Sequence, residues 1–215
     1  MASEEWTEQD RVADYLARAD DFPHRAEGEG VLLDHIPTTV RRVLDLGTGD
    51  GRLLALLMPG RPQMTGIGLD VSEPMLAEAE RRFEGEPRIE FVTHDLDDPL
   101  PDLGRFDAVV SSFAIHHLED GRKRSLAAEV FGLLEPGGVF ANLEHVASPT
   151  PELHEAFFTA IGETLEDEDP SDRTVAVETQ LGWLRETGFT HVDCYWKWLE
   201  MALLIGVKPN PAPSV

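Results

Sequence analysis

Val43-Leu44-Asp45-Leu46-Gly47-Thr48-Gly49-Asp50-Gly51 is the stretch that decides the fold. A short apolar run broken by one acid enters three glycines at alternate positions. The leucine-rich segment Arg52-Leu53-Leu54-Ala55-Leu56-Leu57-Met58 follows. This order reads as strand, tight glycine turn and helix. Alternate glycines permit positive φ and let a ligand lie against bare backbone. The helix that opens there points its unpaired N–H groups at whatever is bound.

Outward from this turn, the pattern repeats. Arg41 to Leu46 is the first strand, and the helix after Gly51 stops near Pro59-Gly60. Met64 to Asp70 is a second strand ending in an acid. Ser72 is placed to cap the next helix, with Pro74 in its first turn, and that helix runs to about Phe83. Ile89–Thr93 and Phe106–Ser112 read as strands three and four. A helix over about 121 to 134 is closed by Pro136-Gly137-Gly138, and Val139 to Glu144 is strand five. Such alternation predicts an α/β fold, a doubly wound and mostly parallel sheet with helices on both faces and right-handed crossovers.

The flanks differ. Residues 4 to 20 carry Trp6, Val12, Tyr15, Leu16 and Ala19 at helical spacing, and a second helix covers about 25 to 35. Residues 1–37 form a helical lid or appendage, or simply helices packed on the sheet. The region 147–187 breaks the rhythm and reads as a helical insertion over the substrate side, with helices at 151 to 162 and 174 to 187. Between them, residues 163 to 172 hold six acids and no base, which is most simply a solvated loop. Residues 190 to 198 and 200 to 207 look like two closing strands, with a helix as the alternative for Trp198 to Ile205. Trp196 and Trp198 share a strand face and read as packing residues. The division is thus one domain over 1–208 and a frayed, proline-rich tail over 209–215.

Composition bounds the function. The 215 residues suit one domain with a substantial core. A net charge of −23 repels phosphate backbones and anionic membranes, so neither nucleic acid nor membrane is an expected partner. Arg122-Lys123-Arg124 is the one basic run, read as an exposed helix face. No apolar run reaches the roughly 18 residues of a membrane span, and the acidic N-terminus does not resemble a signal peptide. The single Cys194 fits a reducing interior, so a cytoplasmic monomer or homodimer is expected.

The acids identify the ligand. Asp70 ends the second strand 19 residues after Gly51, near the separation at which an acid meets ribose hydroxyls. The glycine spacing is not Gly-x-Gly-x-x-Gly, and Asp45 and Asp50 would oppose a pyrophosphate. A nucleoside with a cationic tail is favoured over a dinucleotide.

With these features assembled, residues 40 to 145 resemble the class I S-adenosylmethionine-dependent methyltransferases. The glycine motif at 43–51 is similar to theirs, as is Gly68-Leu69-Asp70-Val71-Ser72-Glu73-Pro74-Met75-Leu76. His94-Asp95-Leu96, the fourth-strand stretch from Phe106 to Leu118, and Leu133-Leu134-Glu135-Pro136-Gly137-Gly138 match in the same order. The resemblance implies S-adenosyl-L-methionine as cofactor, S-adenosyl-L-homocysteine as product, and strand order 3-2-1-4-5-7-6 with strand 7 antiparallel. It implies that Asp45 holds the methionine ammonium and that Gly47, Thr48, Gly49 and Gly51 let backbone approach the cofactor. Asp70 would take both ribose hydroxyls, Val71 and Met75 the adenine faces, Asp95 and the Leu96 backbone the adenine edge, and Ser111 and Ser112 the methionine side. Arg25 belongs to a lid over the methionine or substrate, or is structural.

Methyl transfer is an in-line displacement at a carbon already activated by the sulfonium, so positioning dominates and a base is optional. His116 and His117 follow strand four on the ligand edge, with His117 the preferred base or orienting group. Glu144 and His145 end strand five beside them and are further acceptor-site candidates. His94, Asp95, His116, His117, Glu144, His145 and His154 show no metal-ligand spacing, and no metal is expected. The expected activity is methyl transfer to a small-molecule acceptor. The alternatives are a non-catalytic cofactor-binding regulatory or partner protein, a nicotinamide oxidoreductase, and use of a carboxylated S-adenosylmethionine.

Overall fold

The computed structural model describes residues 22–211. The expected helix over 4 to 20, with Tyr15, and the last residues of the tail lie outside that range. In chain order the elements are α1 (Arg25–His35), β1 (Arg42–Leu46), α2 (Arg52–Leu57), β2 (Thr65–Asp70), α3 (Glu73–Arg82), β3 (Ile89–Thr93) and β4 (Phe106–Ser112). They continue with α4 (Asp120–Leu133), β5 (Leu134–His145), α5 (Pro151–Ile161), α6 (Val177–Thr187), β6 (Thr190–Trp198) and β7 (Met201–Val207). Single 3-10 turns fall at Met58–Gly60, Ile115–His117 and Leu165–Asp167.

The seven strands form one sheet in the order β3-β2-β1-β4-β5-β7-β6. β1 pairs parallel with β2 and β4, and β7 runs antiparallel between β5 and β6. The sheet reverses direction of growth between β1 and β4, the place where an open parallel sheet leaves a crevice at its carboxyl edge. Strand alternation then assigns faces. Val43, Ala108, Val110, Ala141 and Leu143 pack under α1 and α2, whereas Leu44, Leu46, Val109 and Phe140 pack with Leu126, Val130 and Leu184 on the opposite face. Burying each such leucine or valine contributes about 1.5–3 kcal/mol, which is what holds register at the centre.

The sheet-closing strands confirm the reading of 190 to 207 as a pair, and Trp198 to Ile205 is not helical. Trp196 and Trp198 pack inward. Gly28 of α1 lies so close to Trp196 that a Cβ there would sit 2.9 Å from its ring. α1 is therefore clamped onto β5, β6 and β7. Ser72 caps α3 as expected, its hydroxyl accepting from the Met75 N–H at 3.3 Å.

The basic run is a correction. Arg124 is exposed, but Lys123 is buried and donates to the Arg173 carbonyl, and Arg122 reaches back to the loop after β3. Its Nε donates to Leu96 O at 2.6 Å, and its Nη2 to Asp98 O at 2.8 Å. Glu129 fixes the guanidinium through both carboxylate oxygens, at 2.5 and 3.0 Å. The pair forms a staple rather than a solvated face.

The three turn glycines have φ of +67°, +54° and +76° at Gly47, Gly49 and Gly51. A Cβ on Gly47 would fall 2.1 Å from Ala114 Cβ, and one on Gly51 2.7 Å from Phe83, whereas Gly49 has nothing within 4 Å. Left-handed backbone alone costs about 1–2 kcal/mol for a residue with a Cβ. Gly49→Ala should therefore lose about that much stability, and Gly47→Ala clearly more. Thermal or denaturant unfolding of the two variants checks the ranking, and equal losses would contradict it.

Candidate functional site

One cavity of 990 Å³ opens at the carboxyl edge of β1, β2 and β4. The glycine turn forms one wall. Gly47, Thr48, Gly49, Asp45, Asp70, Val71, Met75, Asp95, Leu96 and Ser112 all line it. The far wall comes from Phe22 and Arg25, from Phe113 and Ala114, and from Phe157, Phe158 and Ile161 of α5.

Each carboxylate in this cavity has a different environment. Asp45 is 1% exposed. Its Oδ2 accepts from the Thr48 hydroxyl at 2.7 Å, and its Oδ1 is buried with no partner among the described residues. Burial pushes its pKa from 3.8 up to about 7, against the pull of the Thr48 hydrogen bond, and Asp70 and Asp50 add to the rise. A buried carboxylate oxygen left unpaired is costly unless a donor or cation meets it. Asp70 sits across the turn. Its Oδ2 accepts from the Gly49 N–H at 2.8 Å and its Oδ1 from the Ser72 N–H at 2.9 Å. Burial raises its pKa while these backbone donors lower it. The two bonds fix the carboxylate with lone pairs still available for further donors.

Asp50 corrects the electrostatic argument. Its side chain pairs with Arg82, whose Nε also donates to Asp50 O at 2.9 Å. Asp50 is thereby paired with a cation, whereas Asp45 and Asp70 have none among the described residues. Two further expectations change. Gly51 does not line the cavity, and its lack of a side chain serves the helix start and the ring of Phe83. Ser111 is buried away from the cavity, donating to Leu46 O at 2.7 Å. Ser112, one residue on and on the opposite face, lines the cavity with a hydroxyl that has no partner among the described residues. Arg25 is buried at the cavity wall, 2.9 Å from Glu29, with its guanidinium 5.4 Å from the Phe113 ring. Arg52 closes on the same Glu29 through two bonds, at 2.7 and 2.9 Å.

The histidines beyond β4 and β5 form a cluster that linear spacing leaves scattered. His116 Nδ1 donates to Glu144 Oε1 at 2.7 Å. Glu144 is wholly buried and does not line the cavity, so it reaches a ligand only through His116. His116, His117 and His145 do line it. Asp172 enters from the acidic stretch, which is thus not simply a solvated loop. Its Oδ1 lies 3.4 Å from both His116 Nε2 and His117 Nδ1, and its Oδ2 is 3.2 Å from His145 Nδ1. Ser171 stands 3.1 Å from His117 Nδ1. His145 bridges onward, its Nε2 3.0 Å from Glu200 Oε2, and His154 Nδ1 meets Glu200 Oε1 at 2.8 Å.

His117 and His145 differ in charge. Burial holds His117 down to about 4, with His116 adding to the effect against the acids around it. Burial also opposes charge on His145, but hydrogen bonds to Asp172 and Glu200 outweigh it and raise its pKa to about 9. His145 is therefore an imidazolium at neutral pH with both nitrogens engaged, a poor candidate for a base. His117 is neutral. Sequence does not single out Asp172, because its partners are 27 to 56 residues away and it closes an acid-rich stretch.

A glycine turn, an acid near the end of β1 and another closing β2, at the crevice of an open parallel sheet, make a fold suited to holding a nucleoside. The methyltransferase domain family model matches residues 43–138. A demethylmenaquinone methyltransferase of Clavibacter sepedonicus is 30% identical over 172 residues, covering 73% of this chain and 69% of that protein. An uncharacterised methyltransferase of Mycobacterium tuberculosis is 40% identical over 119 residues, 55% of this chain, and the chain spans only 56% of its length. Among solved structures, an O-methyltransferase family protein from Burkholderia thailandensis superposes with a TM-score of 0.73 at 22% identity, over 95% of this chain and 60% of that one. The chain belongs to the class I S-adenosylmethionine-dependent methyltransferase family, whose cofactor is S-adenosylmethionine.

The cavity fits that cofactor on this structure's own terms. The unpaired Asp45 oxygen is a site for an ammonium, and the open side of Gly49 admits a ligand against backbone. Without a ligand, Asp45 weakens the fold as pH rises. Its folded pKa exceeds its unfolded value, so its contribution is most favourable below about 4 and is lost as pH passes through about 7. Asp45→Asn should therefore stabilise the ligand-free protein at pH 8 relative to pH 5, by up to a few kcal/mol. Urea unfolding of both proteins at the two pH values measures this. An unchanged difference between variant and parent would refute the assignment.

Proposed function

We propose that this chain transfers the methyl group of S-adenosylmethionine to a small-molecule acceptor with an apolar, ring-like body. The observation that carries this reading is the unpaired Asp45 carboxylate oxygen in the same cavity as the histidine edge. When bound, the cofactor supplies a methyl carbon already activated by its sulfonium.

This chain's part is to bind, orient and exclude water. Asp45 takes the ammonium. Arg25 is placed at the wall to meet the carboxylate of the same methionine tail. Asp70 accepts from the ribose hydroxyls, Val71 and Met75 pack on the adenine, and the Asp95 to Leu96 loop, pinned by Arg122, meets its edge. Ser112 faces the methionine side. Phe157, Phe158 and Ile161 of the 147–187 insertion, with Phe22 and Phe113, give the acceptor an apolar wall. His116 and His117 supply its polar edge. Glu144 positions His116, and His145 ties Asp172 to Glu200 rather than acting on the acceptor.

The Clavibacter relative is named for a quinone-type acceptor, which suits a cavity walled by phenylalanines. The net charge of −23 supports a small neutral acceptor over nucleic acid, and the free Cys194 supports a cytoplasmic setting.

Calorimetric titration with S-adenosylhomocysteine and with NAD separates the cofactor classes. S-adenosylhomocysteine should bind and NAD should not, and Asp70→Ala should weaken the former at least tenfold. Methyl transfer is then read from labelled S-adenosylmethionine across phenolic, quinol and small amine acceptors. Tight binding without transfer to any of them would favour the non-catalytic alternative, and preferential NAD binding would overturn the reading.

A further inference from the structure

The acceptor edge contains a feature that methyl transfer by positioning does not require. One ring nitrogen each of His116 and His117 and one Asp172 oxygen all lie within 4.8 Å of one another. We propose that His116, His117 and Asp172 form a divalent transition-metal site, taken by zinc, with an open position facing the cavity.

The distances suit metal ligation, which would displace the Ser171 hydroxyl that stands 3.1 Å from His117 Nδ1. Asp172 Oδ1 stands 3.4 Å from His116 Nε2 and 3.4 Å from His117 Nδ1. Hydrogen bonds of this type lie at about 2.7–3.2 Å, so the oxygen is set back from both rings. Ligands about 2.0–2.1 Å from a tetrahedral zinc are separated by about 3.4 Å along each edge of the tetrahedron. Two of the three edges already have that length. Two histidines and one carboxylate, with a fourth position left open, is a ligand set that suits zinc and related first-row metals.

The surroundings are those that ligands need. A ligating histidine usually donates its second ring N–H to a carboxylate or carbonyl, which fixes the tautomer and orientation. His116 does so, its Nδ1 held by buried Glu144 at 2.7 Å, leaving Nε2 toward Asp172. Ligating carboxylates are themselves hydrogen-bonded, and the other oxygen of Asp172 is held by His145 at 3.2 Å, with His145 anchored in turn by Glu200 at 3.0 Å. Asn142 Nδ2 donates to the second oxygen of Glu144 at 3.2 Å. The carboxylates of Glu144, Asp172 and Glu200 converge on this one region, a concentration of negative charge that a dication would offset.

The ligands come from two places. His116 and His117 form a 3-10 turn beyond β4, while Asp172 ends the acidic stretch of the insertion. Metal binding would therefore fasten the insertion to the sheet edge. The open position faces the cavity and would take an oxygen donor of the acceptor, such as a phenol, enol or hydroxy acid, lowering the pKa of that hydroxyl. This last role rests on the methyl-transfer reading. Metal binding itself does not.

The test uses the full chain, stripped with a chelator and re-equilibrated with zinc in about 0.15 M salt, so that weak attraction to surface acids is screened. Metal content is counted by plasma mass spectrometry, and affinity by competition with a chromophoric chelator. One zinc per chain with submicromolar affinity is expected. Asp172→Asn and His117→Ala should each weaken it at least tenfold, while His35→Ala, which changes an exposed histidine of α1 outside the cavity, should not. Cobalt substitution should give the intense visible bands of a four-coordinate site, lost in Asp172→Asn. Zinc well below one per chain, or equal affinity in the parent and both ligand variants, overturns the site. Circular dichroism of the variants separates lost ligands from lost fold, and His117→Ala serves if Asp172→Asn does not fold. S-adenosylhomocysteine binding on the same samples keeps the two proposals apart. Cofactor binding without zinc removes only the metal, and zinc without cofactor removes only the methyltransferase reading.

Discussion

The carboxylate of Asp45 is the constraint on which the ligand side of this molecule depends. It sits at the end of the central strand, buried, with one oxygen satisfied by Thr48 and the other unpaired. In the ligand-free protein this is a cost, one that a cationic ligand would relieve. The surrounding turn follows from the same need. Three glycines at positive φ bring the chain past the strand end without side chains in the way, and Asp70 locks the turn by accepting from Gly49. Pairing Asp50 with Arg82 leaves Asp45 and Asp70 as the carboxylates of the turn with no cation among the described residues.

A second network lies at the ends of β4 and β5. Glu144 is buried under His116, Asp172 comes in from the insertion, and His145 connects it to Glu200 and His154. Strand ends of β4 and β5 thus hold the insertion by charged hydrogen bonds as well as by the apolar contacts of Phe157 and Phe158. Low local dielectric makes such a network strong when complete and costly when broken. The cavity is in this way bounded by one wall fixed in the sheet and another tied to it through titratable groups.

Sequence period carried the fold well. Alternation of strand and helix patterns with short connections placed β1 to β5 to within a residue or two, apart from an early start of β5 at Leu134 that pairs with Phe106. The cavity lining from the glycine turn to Leu96 was legible because those residues follow strand ends in order. Period two also held a signal that went unused. Ser111 and Ser112 must face opposite sides of β4, and only Ser112 shares the face of Val110 and Asp45. What sequence hid were pairings between distant positions of like surroundings. Asp172 lies among acids, Arg122 and Lys123 lie in a basic run, and Arg82 is 32 residues from Asp50. Composition assigns such residues to solvent, whereas folding gives each a specific partner. The convergence of His116 on Glu144 was closer to reach, since parallel pairing of Ser112 with Leu143 places the residues beyond both strands together.

The central claim is that an ionised Asp45 receives the ammonium of the cofactor. Its pKa near 7 makes that claim measurable as a proton count. At pH 6 most of Asp45 is protonated, so S-adenosylhomocysteine must expel close to one proton on binding, and at pH 8.5 almost none. Calorimetry in buffers of different ionisation enthalpy reads this number directly. Release of nearly one proton at pH 6, fading by pH 8.5 and absent in Asp45→Asn, is the predicted result. Binding at pH 6 with no proton released would contradict the account.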